Sequence, residues 1–254
     1  MIPAPDQPKH YVSSQQNRRE CEPRMNEDRR ETAVCGGFGY GSWNAFFWFI
    51  GQEEGKGPKE SADNSLRIEA WHKLQRDGLC DCRLFHCEIG ETSWHRERPR
   101  LQPTWRPLIL LLNTFLNEAN DNQVMDREVL RIYQREKWGS LGGDTCVIEL
   151  SGISARNLAE PVDRGRYLQK RIEFILEKLH AAPPQAPPKF VVMYGMNHLP
   201  NWERLAGSLL EKDEPVNVGP TVFVAAPHPN TRGRTNEDWI QLGRKLRLAV
   251  GLAR

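Results

Sequence analysis

Four short, almost wholly apolar runs, separated by stretches long enough for a helix, constrain the fold of this chain more than any other feature. They cover residues 45–50, 145–150, 190–194 and 221–226. Apolar runs of this length are typical of strands buried on both faces, which occur in parallel sheets. Parallel neighbours need a crossover of about a dozen or more residues, and every interval allows one. The sequence therefore predicts an α/β fold with three layers, α/β/α, around a central, mainly parallel four-stranded sheet.

The intervals between these runs show the spacing of amphipathic helices. The predicted helices cover residues 65–76, 106–117, 126–138, 167–180, 201–210 and 236–248. Residues 79–89 fit either a helix or a strand. Asn113 resembles a polar residue at the end of an apolar strand, but its neighbours Leu108, Leu111, Leu112 and Phe115 have helical spacing. We therefore predict that Asn113 lies in a helix, away from any site.

Composition predicts a folded, soluble protein. Of the 254 residues, 39 % are hydrophobic and 27 % are charged, and no apolar run approaches the length of a membrane-spanning helix. Residues 1–33 have few apolar side chains and balanced charges, which predicts an N-terminal arm, disordered or draped over a single domain of residues 34–254. No secretory signal is visible, and six cysteines in a chain this long form no disulfide scaffold. Both observations favour the cytoplasm.

Glycine and polar residues gather directly after the four predicted strands. These loops cover residues 51–55, 149–152, 195–198 and 228–233. In open parallel sheets, ligands bind outside the carboxyl ends of the strands. Glycine lets the backbone approach a ligand closely, and Pro227 and Pro229 stiffen the loop that carries His228. The four loops therefore predict one ligand site at a single edge of the sheet.

Two of the loops resemble motifs of the uracil-DNA glycosylase superfamily. Its first motif, a hydrophobic strand followed by Gly-Gln-Asp-Pro, resembles FIGQE at residues 49–53. Its last motif, a strand followed by His-Pro-Ser-Pro, resembles APHPN at residues 226–230. Between them the family places a strand that ends in a base-reading residue and a strand that ends in a glycine-led turn, which residues 191–195 fit. The resemblance covers about residues 47–248.

The resemblance implies a DNA glycosylase that flips a damaged or deaminated base out of DNA and hydrolyses its bond to deoxyribose. Glu53 would stabilise the oxocarbenium-like sugar and orient water, and Gln52 lies where another branch of the family has glutamate. His228 would donate a hydrogen bond to the carbonyl oxygen of the leaving base. The implied base pocket consists of Gly51, Glu54, Glu149, Ser151 and Asn230. The implied DNA contacts are Arg232, Arg234, Asn197 and His198. DNA is the expected partner of a monomeric enzyme without metal or other cofactor.

Departures from the family motifs leave the substrate open. Glu54 stands where the family usually has proline, Asn230 replaces a serine, and Glu149 or Ser151 stands near the place of the base-reading asparagine. The C-terminal segment 228–254 has six Lys or Arg residues against two acidic ones, which fits either a polyanion site or a solvated helix face. Two other functions therefore remain open: a non-catalytic nucleic-acid-binding relative with the same pocket, and an unrelated small-molecule hydrolase.

The segment CDCRLFHC, residues 80–87, raises the question of a metal site. Cys80 and Cys82 are separated by one residue, whereas the cysteine pairs of structural zinc sites are typically separated by about two to four. Some members of the superfamily hold an iron–sulfur cluster on four cysteines, but only Cys35 lies near the first motif here. We therefore predict that Cys80, Cys82 and Cys87 are buried and that they bind no metal.

Overall fold

A seven-stranded mixed sheet forms the centre of the protein. The computed structural model describes residues 28–55, 64–117, 124–154, 163, 165, 167–181 and 186–251. Its strands are β1 (Gly39–Tyr40), β2 (Phe47–Gly51), β3 (Leu79–Cys80), β4 (Thr145–Glu149), β5 (Phe190–Tyr194), β6 (Val216–Val218) and β7 (Thr221–Ala226). Across the sheet they lie in the order β3-β1-β4-β2-β5-β7-β6.

The four central strands are the four apolar runs of the sequence. β4, β2, β5 and β7 are neighbours in that order and run parallel. The expectation of a four-stranded sheet is nevertheless wrong, because three further strands lie at the edges. β1 and β6 pair antiparallel with β4 and β7, and β3 continues the sheet beyond β1. These edge strands have only two or three residues, which is too short to show a periodicity in the sequence.

Helices fill the intervals between the strands. They are α1 (28–36), α2 (Ser65–Leu74), α3 (Cys82–Glu88), α4 (Trp105–Leu116), α5 (Arg127–Glu136), α6 (Leu168–Leu179), α7 (Leu199–Ala206) and α8 (Asn236–Ala249). The six predicted helices are confirmed, and residues 79–89 are divided between β3 and α3. Asn113 lies within α4 and donates a hydrogen bond to the carbonyl oxygen of Val124 at 3.0 Å. The prediction that it is a helical residue is therefore confirmed.

Side chains from the two faces of the sheet enter two separate cores. Phe47 and Phe49 of β2 pack on one side, and Trp48 and Ile50 pack on the other. α4 and α8 cover the first face, whereas α6 and α7 cover the second. The chain is thus layered as helices, sheet and helices. Among the described residues, no helix has both the length and the apolar composition needed to cross a membrane.

Helix α1 begins within the predicted N-terminal arm and packs on the end of β4. Its residue Val34 is buried. The fully buried guanidinium of Arg171 donates hydrogen bonds to the carbonyl oxygens of Val34 at 2.9 Å, Leu150 at 2.7 Å and Glu149 at 2.6 Å. Arg171 therefore ties α1 to the carboxyl end of β4. Residues 1–27 of the predicted arm lie outside the described residues.

Candidate functional site

Three side chains form a continuous group across the carboxyl ends of the parallel strands. Glu149 and Tyr194 are the last residues of β4 and β5, and His228 follows β7. The Tyr194 hydroxyl donates a hydrogen bond to Oε1 of Glu149 at 3.3 Å. The rings of Tyr194 and His228 meet edge to face, with centroids 5.7 Å apart. Tyr194, which the sequence motifs did not indicate, therefore links the predicted pocket residue Glu149 to the predicted hydrogen-bond donor His228.

Gly51, at the end of β2, allows this group to assemble. A Cβ atom at this position would lie 2.4 Å from Oη of Tyr194 and 2.6 Å from Oε2 of Glu149. The loops after β2 and β4 are joined by a hydrogen bond from the backbone N–H of Ser151 to the carbonyl oxygen of Gln52, at 2.6 Å. Gln52 and Ser151, two predicted site residues on separate loops, thus lie next to each other.

Two buried side-chain atoms at this edge have no hydrogen-bond partner within the described part of the chain. They are Oε1 of Gln52 and Oε2 of Glu149. A buried polar atom without a partner costs about 1–3 kcal/mol, so native structures rarely leave one unsatisfied. A polar ligand that supplied matching groups would remove that cost. Both atoms belong to residues that the sequence placed in the site.

Glu149 is protonated at neutral pH. Burial of its carboxyl group and the nearby negative charge of Glu54 raise its pKa to about 8, and the hydrogen bond from Tyr194 only partly opposes this rise. The charge of Glu53 adds to the increase. A protonated carboxyl group has both a donor and an acceptor. Glu149 can therefore present a hydrogen-bond donor to a ligand at pH 7, as an amide side chain would.

Glu54 is held in the opposite state, as a carboxylate. Burial would raise its pKa, but the guanidinium of Arg67, at 2.6 Å from Oε2, and hydrogen bonds involving His86 and Tyr40 lower it to about 2. The Tyr40 hydroxyl donates to Oε1 of Glu54 at 2.5 Å. Glu54 was predicted to lie in the base pocket as an additional negative charge. The structure neutralises that charge with Arg67, which lies 13 residues after Glu54 in the chain and was not identified from the sequence.

A cavity of about 70 Å³ is lined by these two carboxyl groups and by residues of α1 and α2. Glu54, Glu149 and Ser151 line it, together with Tyr40 of β1 and Trp71 of α2. The cavity is wide enough for several water molecules. Three of the five residues predicted for a base pocket thus line one cavity.

His228 has the tautomer that a hydrogen-bond donor needs. Partial burial of the ring lowers its pKa below the ordinary value of 6.5, so the ring is neutral at pH 7. The backbone N–H of Asn230 donates a hydrogen bond to Nδ1 of His228 at 3.2 Å. A neutral imidazole that accepts at Nδ1 has its proton on Nε2. Nε2 of His228 is therefore the donor. The side chain of Asn230 instead donates to Oγ1 of Thr104 at 3.1 Å.

The residues predicted to contact DNA lie in different environments. The guanidinium of Arg234 is almost fully buried, makes two hydrogen bonds of 2.8 Å to Asp213 and stacks on Trp239 at 4.1 Å. Its contacts stabilise the loop before α8. Arg232 and Asn197 are exposed. His198 is partly buried and its ring contacts Trp202 of α7.

A large basic cleft begins where the His228 loop ends. Its volume is about 590 Å³, and Pro229 and Asn230 form part of its wall. Arginines dominate the lining: Arg96, Arg98, Arg100, Arg106, Arg127, Arg131 and Arg234. No carboxylate lines the cleft among the described residues. Such a concentration of positive charge attracts a polyanion. Four of these arginines fall between residues 96 and 106, a local basic cluster that is visible in the sequence but belongs to neither motif.

No model of a known protein family matches this chain, and a search of curated proteins gives no match.

Proposed function

We propose that this protein is a DNA glycosylase-like enzyme that hydrolyses the N-glycosidic bond of a damaged or deaminated base. One observation carries the proposal: the loop with His228 lies between the Tyr194–Glu149 group and the arginine cleft. A base-excising enzyme needs polar groups that read a base and a basic surface that holds the adjoining phosphates. The motifs on β2 and β7, in the order that the resemblance implies, support the same assignment.

His228 and Glu149 would have different roles in such a reaction. As the base departs, negative charge develops on its carbonyl oxygen, and the Nε2–H of His228 is a suitable donor to that atom. The protonated carboxyl of Glu149 can hydrogen-bond to the edge of the base. Water adds to the sugar carbon, and the base leaves with the bonding electrons and takes up a proton.

Glu53 is the carboxylate that we assign to the sugar. Glu54 is unsuitable for this role because Arg67 and Tyr40 already occupy its oxygens. The charge of Glu53 contributes to the raised pKa of Glu149, which supports a position for Glu53 near the same group. A carboxylate at this position would stabilise the oxocarbenium-like sugar and orient the attacking water.

Base excision is tested with a panel of single- and double-stranded oligonucleotides that contain uracil, hypoxanthine or xanthine. Abasic products are scored under single-turnover conditions. We expect excision of at least one base, and we expect His228→Ala and Glu53→Gln each to slow it about a hundredfold with little change in affinity. The control is Glu177→Gln, an exposed carboxylate in the last turns of α6, at the opposite edge of the sheet.

The phosphate contacts are tested separately by the salt dependence of DNA binding. Replacing Arg98 and Arg100 by alanine should weaken binding and make the slope of log K against log salt shallower by about 2, because each phosphate contact contributes about 0.9. Arg76→Ala removes an exposed arginine outside the cleft and should leave the slope unchanged. Binding without excision of any base would favour the non-catalytic relative. Absence of both would refute the proposal and favour the small-molecule hydrolase.

A further inference from the structure

A thiol and two imidazoles meet in the interior beside Glu54, outside the group assigned to base excision. Sγ of Cys82 lies 3.5 Å from Nδ1 of His86 and 4.0 Å from Nε2 of His95. All three atoms lie within 4.8 Å of one another, and all three residues are buried. A zinc ion bound tetrahedrally to one sulfur and two nitrogens would hold a sulfur and a nitrogen about 3.6 Å apart. The observed separations are close to that value.

The surroundings of the two imidazoles match those of metal ligands. A histidine that binds metal through one nitrogen usually directs the other to a carboxylate or a backbone carbonyl. Nε2 of His86 lies 3.6 Å from Oε1 of Glu54, on the side of the ring away from Cys82. Nδ1 of His95 is buried beside the backbone of Arg135 and makes no hydrogen bond of good geometry to the described residues. Both rings are thus oriented with one nitrogen toward the thiol and the other toward an oxygen-bearing neighbour.

From this arrangement we propose that Cys82, His86 and His95 bind one Zn²⁺ ion that fixes α3 and the segment after it against Glu54. Binding would convert the Cys82 thiol to a thiolate, with the proton released to solvent. It would also replace the hydrogen bond between Nδ1 of His86 and the carbonyl oxygen of Cys82, now 2.7 Å long. Among the described residues no fourth side chain joins the group, so a water molecule would complete the tetrahedron.

The types of donor atom in this group indicate which metal it would bind. One thiolate and two imidazoles suit zinc better than magnesium or calcium, which prefer oxygen ligands.

The sequence-based prediction of no metal depended on the spacing between cysteines, and neither Cys80 nor Cys87 belongs to the group. Cys82 and His86 lie four residues apart on α3 and so share one helix face, to which His95 returns from the following segment. Cys87 is exposed, contrary to the prediction that it is buried.

The proposal is tested on the full chain with Zn²⁺, and with Co²⁺ as a spectroscopic probe. Protein expressed in zinc-supplemented medium should contain about one zinc per chain by elemental analysis. After removal of metal with a chelator, one equivalent of Co²⁺ should produce the visible bands of tetrahedral coordination and a thiolate-to-cobalt band. Cys82→Ser should abolish the thiolate band, and His95→Gln should lower affinity at least about tenfold.

Two further variants complete the test. Cys87→Ser makes the same substitution on the same helix outside the group and should bind Co²⁺ as the wild type does. Glu54→Gln should bind Co²⁺ about tenfold more weakly because the carboxylate behind His86 is lost. If Cys82→Ser fails to fold, His95→Gln and the wild-type spectrum still decide the matter. A wild-type protein that shows neither bound zinc nor a thiolate-to-cobalt band would overturn the proposal, whatever the result of the excision assay.

Discussion

Replacing Glu149 by glutamine tests whether the protein contains a carboxyl group that is neutral at physiological pH. Glutamine has nearly the same shape, and its Oε1 can still accept the hydrogen bond from Tyr194. Unlike glutamate, it does not titrate. We expect Glu149→Gln to abolish a fall in stability that the wild type shows as the pH rises.

The size and sign of this effect follow from the raised pKa. The pKa of about 8 in the folded protein lies about 3.5 above the ordinary value of 4.5. At 1.36 kcal/mol for each unit of pKa, the difference corresponds to about 5 kcal/mol. Because the folded state holds its proton more tightly than the unfolded state, this stabilisation is complete below pH 4.5. It is lost progressively between pH 4.5 and about 8.

The assay is urea denaturation followed by the fluorescence of the eight tryptophans, at intervals from pH 4.5 to pH 9. Relative to the wild type, Glu149→Gln should gain about 5 kcal/mol of unfolding free energy across this range. Glu177→Gln, which removes an exposed carboxylate, should follow the wild-type profile. If the wild type and Glu149→Gln give parallel profiles, Glu149 is ionised at neutral pH and the assignment of a donor role to it is wrong.

Three further variants test the surroundings of the site. Gly51→Ala should place a methyl group against Tyr194 and lower the excision rate by about a hundredfold, with a loss of about 1–3 kcal/mol in unfolding free energy by urea denaturation. Glu54→Gln should cost about 3–5 kcal/mol at pH 7 because it removes the carboxylate that neutralises the buried guanidinium of Arg67. Since the pKa of Glu54 is lowered to about 2, that loss should shrink as the pH falls from 4.5 toward 2, and a constant loss would refute the ion-pair explanation. Arg234→Ala should destabilise the protein by about 3 kcal/mol but leave the salt dependence of DNA binding unchanged. If the slope of log K against log salt became shallower in this variant, Arg234 would be a phosphate contact after all.

The sequence predicted the central part of the fold because the relevant signals are local. β2, β4, β5 and β7 are continuous apolar runs, and the helices between them have a clear period. The carboxyl ends of parallel strands share one edge of the sheet, and at that edge Glu149 and His228 both contact Tyr194. The short edge strands β1, β3 and β6 were missed because two or three residues have no measurable period. Their pairing depends on the rest of the sheet.

The residues that set the electrostatics of the site were missed because they act over long distances in the chain. Arg67 of α2 and Tyr40 of β1 both donate hydrogen bonds to Glu54, and no sequence motif at either position predicts this contact. Arg171 looked like an ordinary charged residue of an amphipathic helix, yet it is fully buried. Tyr194 looked like the last apolar residue of a strand. Such roles depend on tertiary contacts that a single sequence does not reveal.

The opposite protonation states of Glu54 and Glu149 have a common cause. Two buried carboxyl groups near each other cannot both ionise without a large electrostatic cost. Arg67 and Tyr40 hold the charge on Glu54, and that charge then adds to burial in keeping the proton on Glu149. The donor property of Glu149 therefore depends on the ion pair between Glu54 and Arg67, which lines the same cavity. By the same argument, loss of the Glu54 charge would lower the pKa of Glu149 and move the pH range of its titration downward.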